Sequence, residues 1–238
     1  LTGVQLHLNR RVSPQELAIG KYDDIVLATG VIPRSPRIEG QELPHVLSYV
    51  DVLLHRKPVG KCVVVIGAGG IGFDVSEFLV DEGHSSSLDP ALWNKQWGVT
   101  DPAKTRGGVV KGESSPAARQ VTLLQRKATA VGRGLGKTTG WIHRAALKQK
   151  NVTMIAGCNY ERIDAGGIHI SRGEKRGSPT YLEADTIVLC TGQDPLRELF
   201  EPLKAMGLSV HLVGGADVAK ELDAKRAIDQ ASRLAAAL

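Results

Sequence analysis

The residues with the plainest chemical meaning are the glycines of Gly67-Ala-Gly69-Gly70-Ile-Gly72. They follow the apolar, β-branched run Cys62-Val-Val-Val-Ile66 and precede Phe73–Leu79, where apolar residues recur at helical spacing. In a strand–glycine–helix order, Gly67 permits the tight turn and Gly69 lets the backbone approach a pyrophosphate. Gly72 lets the helix pack closely on its strand. The diphosphate would rest on the free N–H groups at the helix start. A second cluster bears on which dinucleotide is taken. The run Gln120-Val-Thr-Leu-Leu124 ends in Gln125-Arg126-Lys127. A carboxylate at this strand end would accept from the ribose 2′-OH of NAD and repel a 2′-phosphate; two cations stand there instead, which predicts NADP(H).

The elements that must position these groups follow from periodicity. The run 62–66 is a strand buried on both faces of a parallel sheet, and 73–79 is the helix after it. Residues 83–118 are rich in Ser, Gly, Pro and Asp and read as an insertion, with Trp93 and Trp97 one helical turn apart as a packing clip. Strand 120–124 comes next, then a helix from Trp141 to Lys150 with Thr138 or Thr139 as its N-cap. A strand Asn151–Ile155 follows. Tyr160 to Leu182 is expected to form an antiparallel meander turning at Ala165-Gly-Gly and at Gly177-Ser-Pro179. One phrase occurs twice: Tyr22-Asp-Asp-Ile-Val-Leu-Ala28-Thr29-Gly30 with Pro33, and Ala184-Asp-Thr-Ile-Val-Leu-Cys190-Thr191-Gly192 with Pro195. Each copy is an apolar strand that turns at Thr-Gly, on either side of the one glycine fingerprint.

Composition removes several classes. Among 238 residues, 30 basic against 25 acidic leaves a net charge of +5, without any block of like charges that would announce nucleic acid. Apolar residues at 42% support a real core, and Gly-rich, aromatic-poor composition (27 Gly, 4% aromatic) favours α/β over a β-sandwich. Cys62, Cys158 and Cys190 lie far apart, which excludes a zinc ribbon, a redox dithiol and an iron–sulfur cluster ligated within this chain; no metal site is expected. No apolar run approaches a membrane span, so a cytoplasmic chain is expected, without membrane or nucleic-acid partners. Gly132–Trp141 is not a P-loop, because Val131 stands where its first glycine is needed. A short-chain dehydrogenase is excluded because no Tyr is followed by Lys four residues on.

The repeated phrase, and Ser209-Val-His-Leu-Val-Gly214-Gly215-Ala-Asp217 near the end, resemble flavoprotein oxidoreductases in which an NAD(P) domain is inserted into an FAD domain. More narrowly, Leu124-Gln-Arg-Lys127, Gly134-Leu-Gly-Lys-Thr-Thr-Gly-Trp-Ile-His143 and Glu221-Leu-Asp-Ala-Lys-Arg-Ala-Ile228 are similar to bacterial NADPH-dependent 2,4-dienoyl-CoA reductases. The resemblance implies an α/β chain: a Rossmann-like, doubly wound NADP(H)-binding domain over 58–192, with parallel sheet and small meander, inserted in a partial FAD-binding domain of residues 1–57 and 193–238. Gly67, Gly69, Gly70 and Gly72 would take the NADP diphosphate, and Arg126 and Lys127 the 2′-phosphate. Val12, placed just after a first strand, would meet the FAD adenine through its backbone; Ala28, Thr29, Gly30, Gly215 and Asp217 would line the same cofactor.

Trp141 would either close over nicotinamide or substrate or anchor its helix in the core. The last helix, Glu221 to Leu238, would pack through Ala224, Ala227, Ile228, Ala231 and Leu234. FMN, carried on an amino-terminal barrel, and a [4Fe–4S] cluster belong to a part of such enzymes that precedes this chain. A hydride would pass from NADPH to FAD here, and electrons onward through the cluster to FMN; no general acid or nucleophile is expected in this chain. The implied alternatives are an amine-dehydrogenase-type sibling holding a non-reducible adenine nucleotide, or a nucleotide-binding module without turnover.

Overall fold

The computed structural model describes residues 3–81, 83, 86–173, 176–220 and 223–238. Along the chain, α1 (Pro14–Ile19) precedes β1 (Ile25–Leu27), β2 (Val31–Pro33) and β3 (Val46–Ser48). Then come α2 (Tyr49–Leu53), β4 (Cys62–Ile66), α3 (Gly70–Val80), α4 (Pro90–Trp97) and β5 (Gln120–Leu124). α5 (Gly140–Gln149) is followed by β6 (Thr153–Ile155), β7 (Cys158–Asp164), β8 (Gly167–Arg172), β9 (Gly177–Glu183) and β10 (Thr186–Leu189). β11 (Gln193–Pro195), α6 (Phe200–Ala205), β12 (Val210–Leu212) and α7 (Ala224–Ala235) complete the order. The chain divides into two compact units, one of residues 1–34 and 193–238 and one of residues 35–192. No helix among the described residues is long and apolar enough to cross a membrane.

The 35–192 unit is built on a five-stranded parallel sheet in the order β3-β10-β4-β5-β6. The continuous apolar run of β4 serves both faces by period-two alternation. Val63 and Val65 join Phe73, Leu79, Leu123 and Leu147 under α3 and α5; Val64 and Ile66 join Ile163, Ile168 and Ile170 under the meander β7-β8-β9. Fully burying each such side chain contributes roughly 1.5–3 kcal/mol, so these two layers hold the sheet. The unit begins at Ser35 rather than at residue 58, because β3 pairs with β10 and Gly40, at φ 83°, packs on the backbone of Ile163.

Other expectations change locally. Thr139 is the N-cap of α5, but its φ −116°, ψ −21° backbone keeps its hydroxyl out of the cap; Gly140 N donates to Gly136 O at 2.8 Å instead. Asn151, left-handed at φ 57°, ends that helix, and β6 starts two residues later. Gly177 and Pro179 lie inside β9, an edge strand whose outer side needs no N–H donor. Trp93 and Trp97 pack on each other at 6.2 Å on α4, with Trp93 exposed, so the clip is internal to the insertion; residues 84 and 85 of that insertion lie outside those described.

In the other unit β1 and β12 form a parallel pair, and the tails of the two repeated phrases, β2 and β11, pair antiparallel with Val31 opposite Pro195. Residues 3–12 form no strand. Val4, Leu6 and Leu8 alternate as a strand would, yet none of the described strands pairs with them and they are 77, 74 and 72% exposed. The start expected for the last helix at Glu221 lies outside the described residues; α7 is capped by Asp223. Its inward face is Arg226, Ala227, Gln230, Ala231 and Leu234, whereas Ala224 and Ile228 face outward.

Candidate functional site

The four glycines of the fingerprint have different surroundings. Gly67 turns at φ 109°, and a Cβ there would overlap the carbonyl of Cys190; a Cβ on Gly72 would overlap the carbonyl oxygen of Gly67. Those two glycines are demanded by the protein's own packing. Gly69 and Gly70 are not: a Cβ on either would meet nothing within 4 Å. Gly69 is the N-cap of α3, an eleven-residue helix, and supplies no side-chain cap to its first N–H groups. Small residues with no internal reason to be small, beside helix N–H donors without a side-chain cap, fit a diphosphate lying against backbone.

Arg126 and Lys127 follow β5 at the same carboxyl end of the sheet. β4 and β5 run parallel with Ile66 opposite Leu124, and Gly67 N donates to Leu124 O at 2.9 Å. Both cations are exposed, and among the described residues neither is ion-paired with a carboxylate. The 132–140 loop is tied to the same helix. Gly132, at φ 77°, lies so close to the Phe73 ring that a Cβ would stand 2.6 Å from Cζ, and Arg144 donates to Gly132 O at 2.9 Å. Trp141, the second residue of α5, is 58% exposed, so it does not anchor the helix in the core. α3 and α5 are clamped by His143 Nδ1 and Glu77 Oε1 at 2.8 Å; burial pushes the Glu77 carboxyl up.

In the other unit the structure brings Gly30, at the end of the Ala28-Thr29-Gly30 turn, beside Gly215, two residues before Asp217, because parallel β1 and β12 have the same carboxyl end. Gly30 turns at φ 78°, and Gly215 packs on it: a Cβ on Gly215 would stand 2.8 Å from Val31 Cγ1 and 3.2 Å from the Gly30 carbonyl carbon. Thr29 Oγ1 donates to Leu196 O at 2.6 Å and Leu196 N to Gly30 O at 3.0 Å. Val12 is half-buried ahead of α1, in irregular chain rather than after a strand.

Three residues that periodicity did not single out hold the 214–217 turn. Gln230 donates to Asp217 Oδ2 and accepts from Gly214 N, both at 2.8 Å. Arg197 donates from Nε to Ala216 O at 2.7 Å and also to Asp217 O. Arg226 donates to Val218 O at 2.8 Å. A polar Gln among Ala227, Ala231 and Leu234 on one helix face was the available signal. Beside the turn, Phe200, Val213, Asp217, Gln230 and Leu234 line a groove of about 410 Å³.

The three thiols are free and ill suited to redox work. Cys158 and Cys190 are buried; burial pushes all three thiols up, that of Cys190 to about 12. Among the described residues no cluster could hold a metal ion.

Comparison with known proteins agrees with this architecture. A metal reductase of Desulforamulus reducens is 25% identical over 218 residues, covering 90% of this chain and 31% of that protein. A bilirubin reductase of Mediterraneibacter gnavus is 23% identical over 227 residues, 95% of this chain and 29% of that protein. The chain therefore spans about a third of the length of these relatives. Among solved structures, a 2-naphthoyl-CoA reductase superposes with TM-score 0.73 at 21% identity, over 96% of this chain and 29% of its own. A histamine dehydrogenase from Rhizobium sp. 4-9 superposes with TM-score 0.72 at 16% identity, over all of this chain and 34% of its own. The pyridine nucleotide-disulphide oxidoreductase family matches residues 4–226, and the chain belongs to that family of FAD- and NAD(P)H-binding oxidoreductases.

Proposed function

We propose that the 35–192 unit binds NADP(H), that the 28–30 and 214–217 turns bind FAD, and that a hydride passes from nicotinamide to flavin. The observation that carries this reading is the open Gly69–Gly70 surface at the start of α3, which has no side-chain cap, at the same carboxyl end of the sheet as the exposed pair Arg126 and Lys127. The helix N–H groups would take the diphosphate and the two cations the 2′-phosphate. Trp141 would cover the nicotinamide end. Ala28, Thr29 and Gly30 would offer backbone to FAD, Asp217 would meet its flavin side and Val12 its adenine. NADPH supplies the two-electron donor and FAD the acceptor; this chain binds and orients them, and no side chain is assigned a proton transfer.

In the wider reading the chain is the reducing end of a 2,4-dienoyl-CoA reductase-like protein, working with an FMN barrel and a [4Fe–4S] cluster elsewhere in a longer chain. That reading is supported by the Leu124–Lys127 and Gly134–His143 segments. Titration calorimetry of this chain with NADPH and NADH tests the nucleotide site: tight NADPH and weak NADH binding are expected, and no NADPH binding refutes it. Anaerobic flavin reduction by NADPH and turnover of a 2,4-dienoyl-CoA, both in the longer protein, test the rest. Flavin that stays oxidised in excess NADPH would point to the amine-dehydrogenase-type alternative.

A further inference from the structure

We propose that Gln125 is a positioning residue that sets dinucleotide preference by bracing the loop carrying Arg126 and Lys127. The inference rests on the NADP(H) reading above. Gln125 directly follows β5, and its backbone is held on both sides: its N–H donates to Ile155 O at 2.8 Å, and its carbonyl accepts from Cys158 N at 3.0 Å. With the backbone held, the side chain turns back into its own loop. Nε2 donates to Thr129 O at 2.7 Å and to Lys127 O at 2.9 Å. Two carbonyl oxygens around one terminal atom require the amine there, so chemistry fixes the orientation of the amide. Lys127 O also accepts from Gly157 N at 3.1 Å, which ties the loop to the turn between β6 and β7. Residues 126–129 thus wrap the Gln125 carboxamide, and the side chains of Arg126 and Lys127 remain exposed outside it.

This position lies at the strand end where a carboxylate would favour NAD. A glutamate here has no hydrogens to give Lys127 O and Thr129 O, so it would be repelled from the loop interior and the brace would be lost. Gln125 therefore withholds a negative charge from the 2′-phosphate and also holds its two cationic partners in place. A loop that must be ordered on binding weakens only the ligand that uses it. The expected effect falls on nucleotides bearing a 2′-phosphate and spares those without one.

The test is calorimetric titration of the 238-residue chain with NADP⁺ and NAD⁺. The wild type should prefer NADP⁺. Gln125→Met, similar in size but without a donor, should bind NADP⁺ about tenfold more weakly with NAD⁺ unchanged, and Gln125→Glu should lower the preference about a hundredfold. A wild type without preference overturns the NADP(H) reading itself. A preferring wild type whose Gln125→Met variant keeps its preference, or loses both ligands equally, overturns the role of Gln125 alone. NMR of the wild type needs no variant. The two Gln125 side-chain amide protons should exchange slowly with water, and rapid exchange also overturns the proposal.

Discussion

The Gln230 carboxamide spans 2.8 Å to Asp217 Oδ2 with its nitrogen and 2.8 Å to Gly214 N with its oxygen, so one side chain satisfies both ends of the turn after β12. The pair is half-buried. Gln230→Leu should lower unfolding stability by about 1–3 kcal/mol in urea titrations and weaken FAD binding in the same variant. Unchanged stability would show that the turn is held by Arg197 and Arg226 alone.

On the proposed NADP(H) reading, replacing Arg126 and Lys127 together with Ala would remove two charge-assisted contacts to the 2′-phosphate, each worth about 1.5–3 kcal/mol when well made. NADPH affinity should fall on the order of a hundredfold with NADH nearly unchanged. Equal losses for both nucleotides in calorimetry would remove the assignment.

The glycines separate packing from binding. Gly69→Val enters open space, so its melting temperature should stay close to wild type while NADP(H) binding is lost. Gly72→Ala drives a Cβ into the Gly67 carbonyl and should unfold at a clearly lower temperature. A Gly69→Val chain that binds NADPH normally would show that the diphosphate lies elsewhere.

The thiols should be inert in the folded chain. Cys158 and Cys190 are buried with raised pKa, so iodoacetamide at pH 8 should leave both unmodified, and all three cysteines should react in denaturant. Rapid alkylation of Cys190, read by mass spectrometry, would contradict its burial.

Asp51 closes the capping box of α2. The Lys57 ammonium at 2.7 Å and the Ser48 hydroxyl hold its carboxyl at about 2. A depressed carboxyl contributes stability above its unfolded value near 4 and loses it as pH falls through its folded value. Wild-type stability should drop between about pH 4 and pH 2, and Asp51→Asn should flatten that drop by on the order of 1 kcal/mol. Parallel acid profiles for the two chains in urea titrations would discount the pair.

The sequence by itself determined the β4–glycine–α3 element, β5 and the meander, because each is contiguous and its pattern repeats within a few residues. It also placed Gly67 and Gly72, because the turn needs the positive φ of Gly67 and the close approach of Gly72 to the Gly67 carbonyl; the overlap with Cys190 adds a tertiary constraint on Gly67. Tertiary structure alone decided which strands meet. β3 has three residues and no legible pattern of its own, and its pairing with β10, with the packing of Gly40 on Ile163, draws residues 35–57 into the second unit. The tails of the repeated phrase look alike in sequence, but that they pair with each other depends on contacts about 160 residues apart. The same holds for side-chain direction. Gln125 and Gln230 are polar residues whose partners are backbone groups and a carboxylate set by the fold, so composition and spacing could not say that one turns into its loop and the other into its turn.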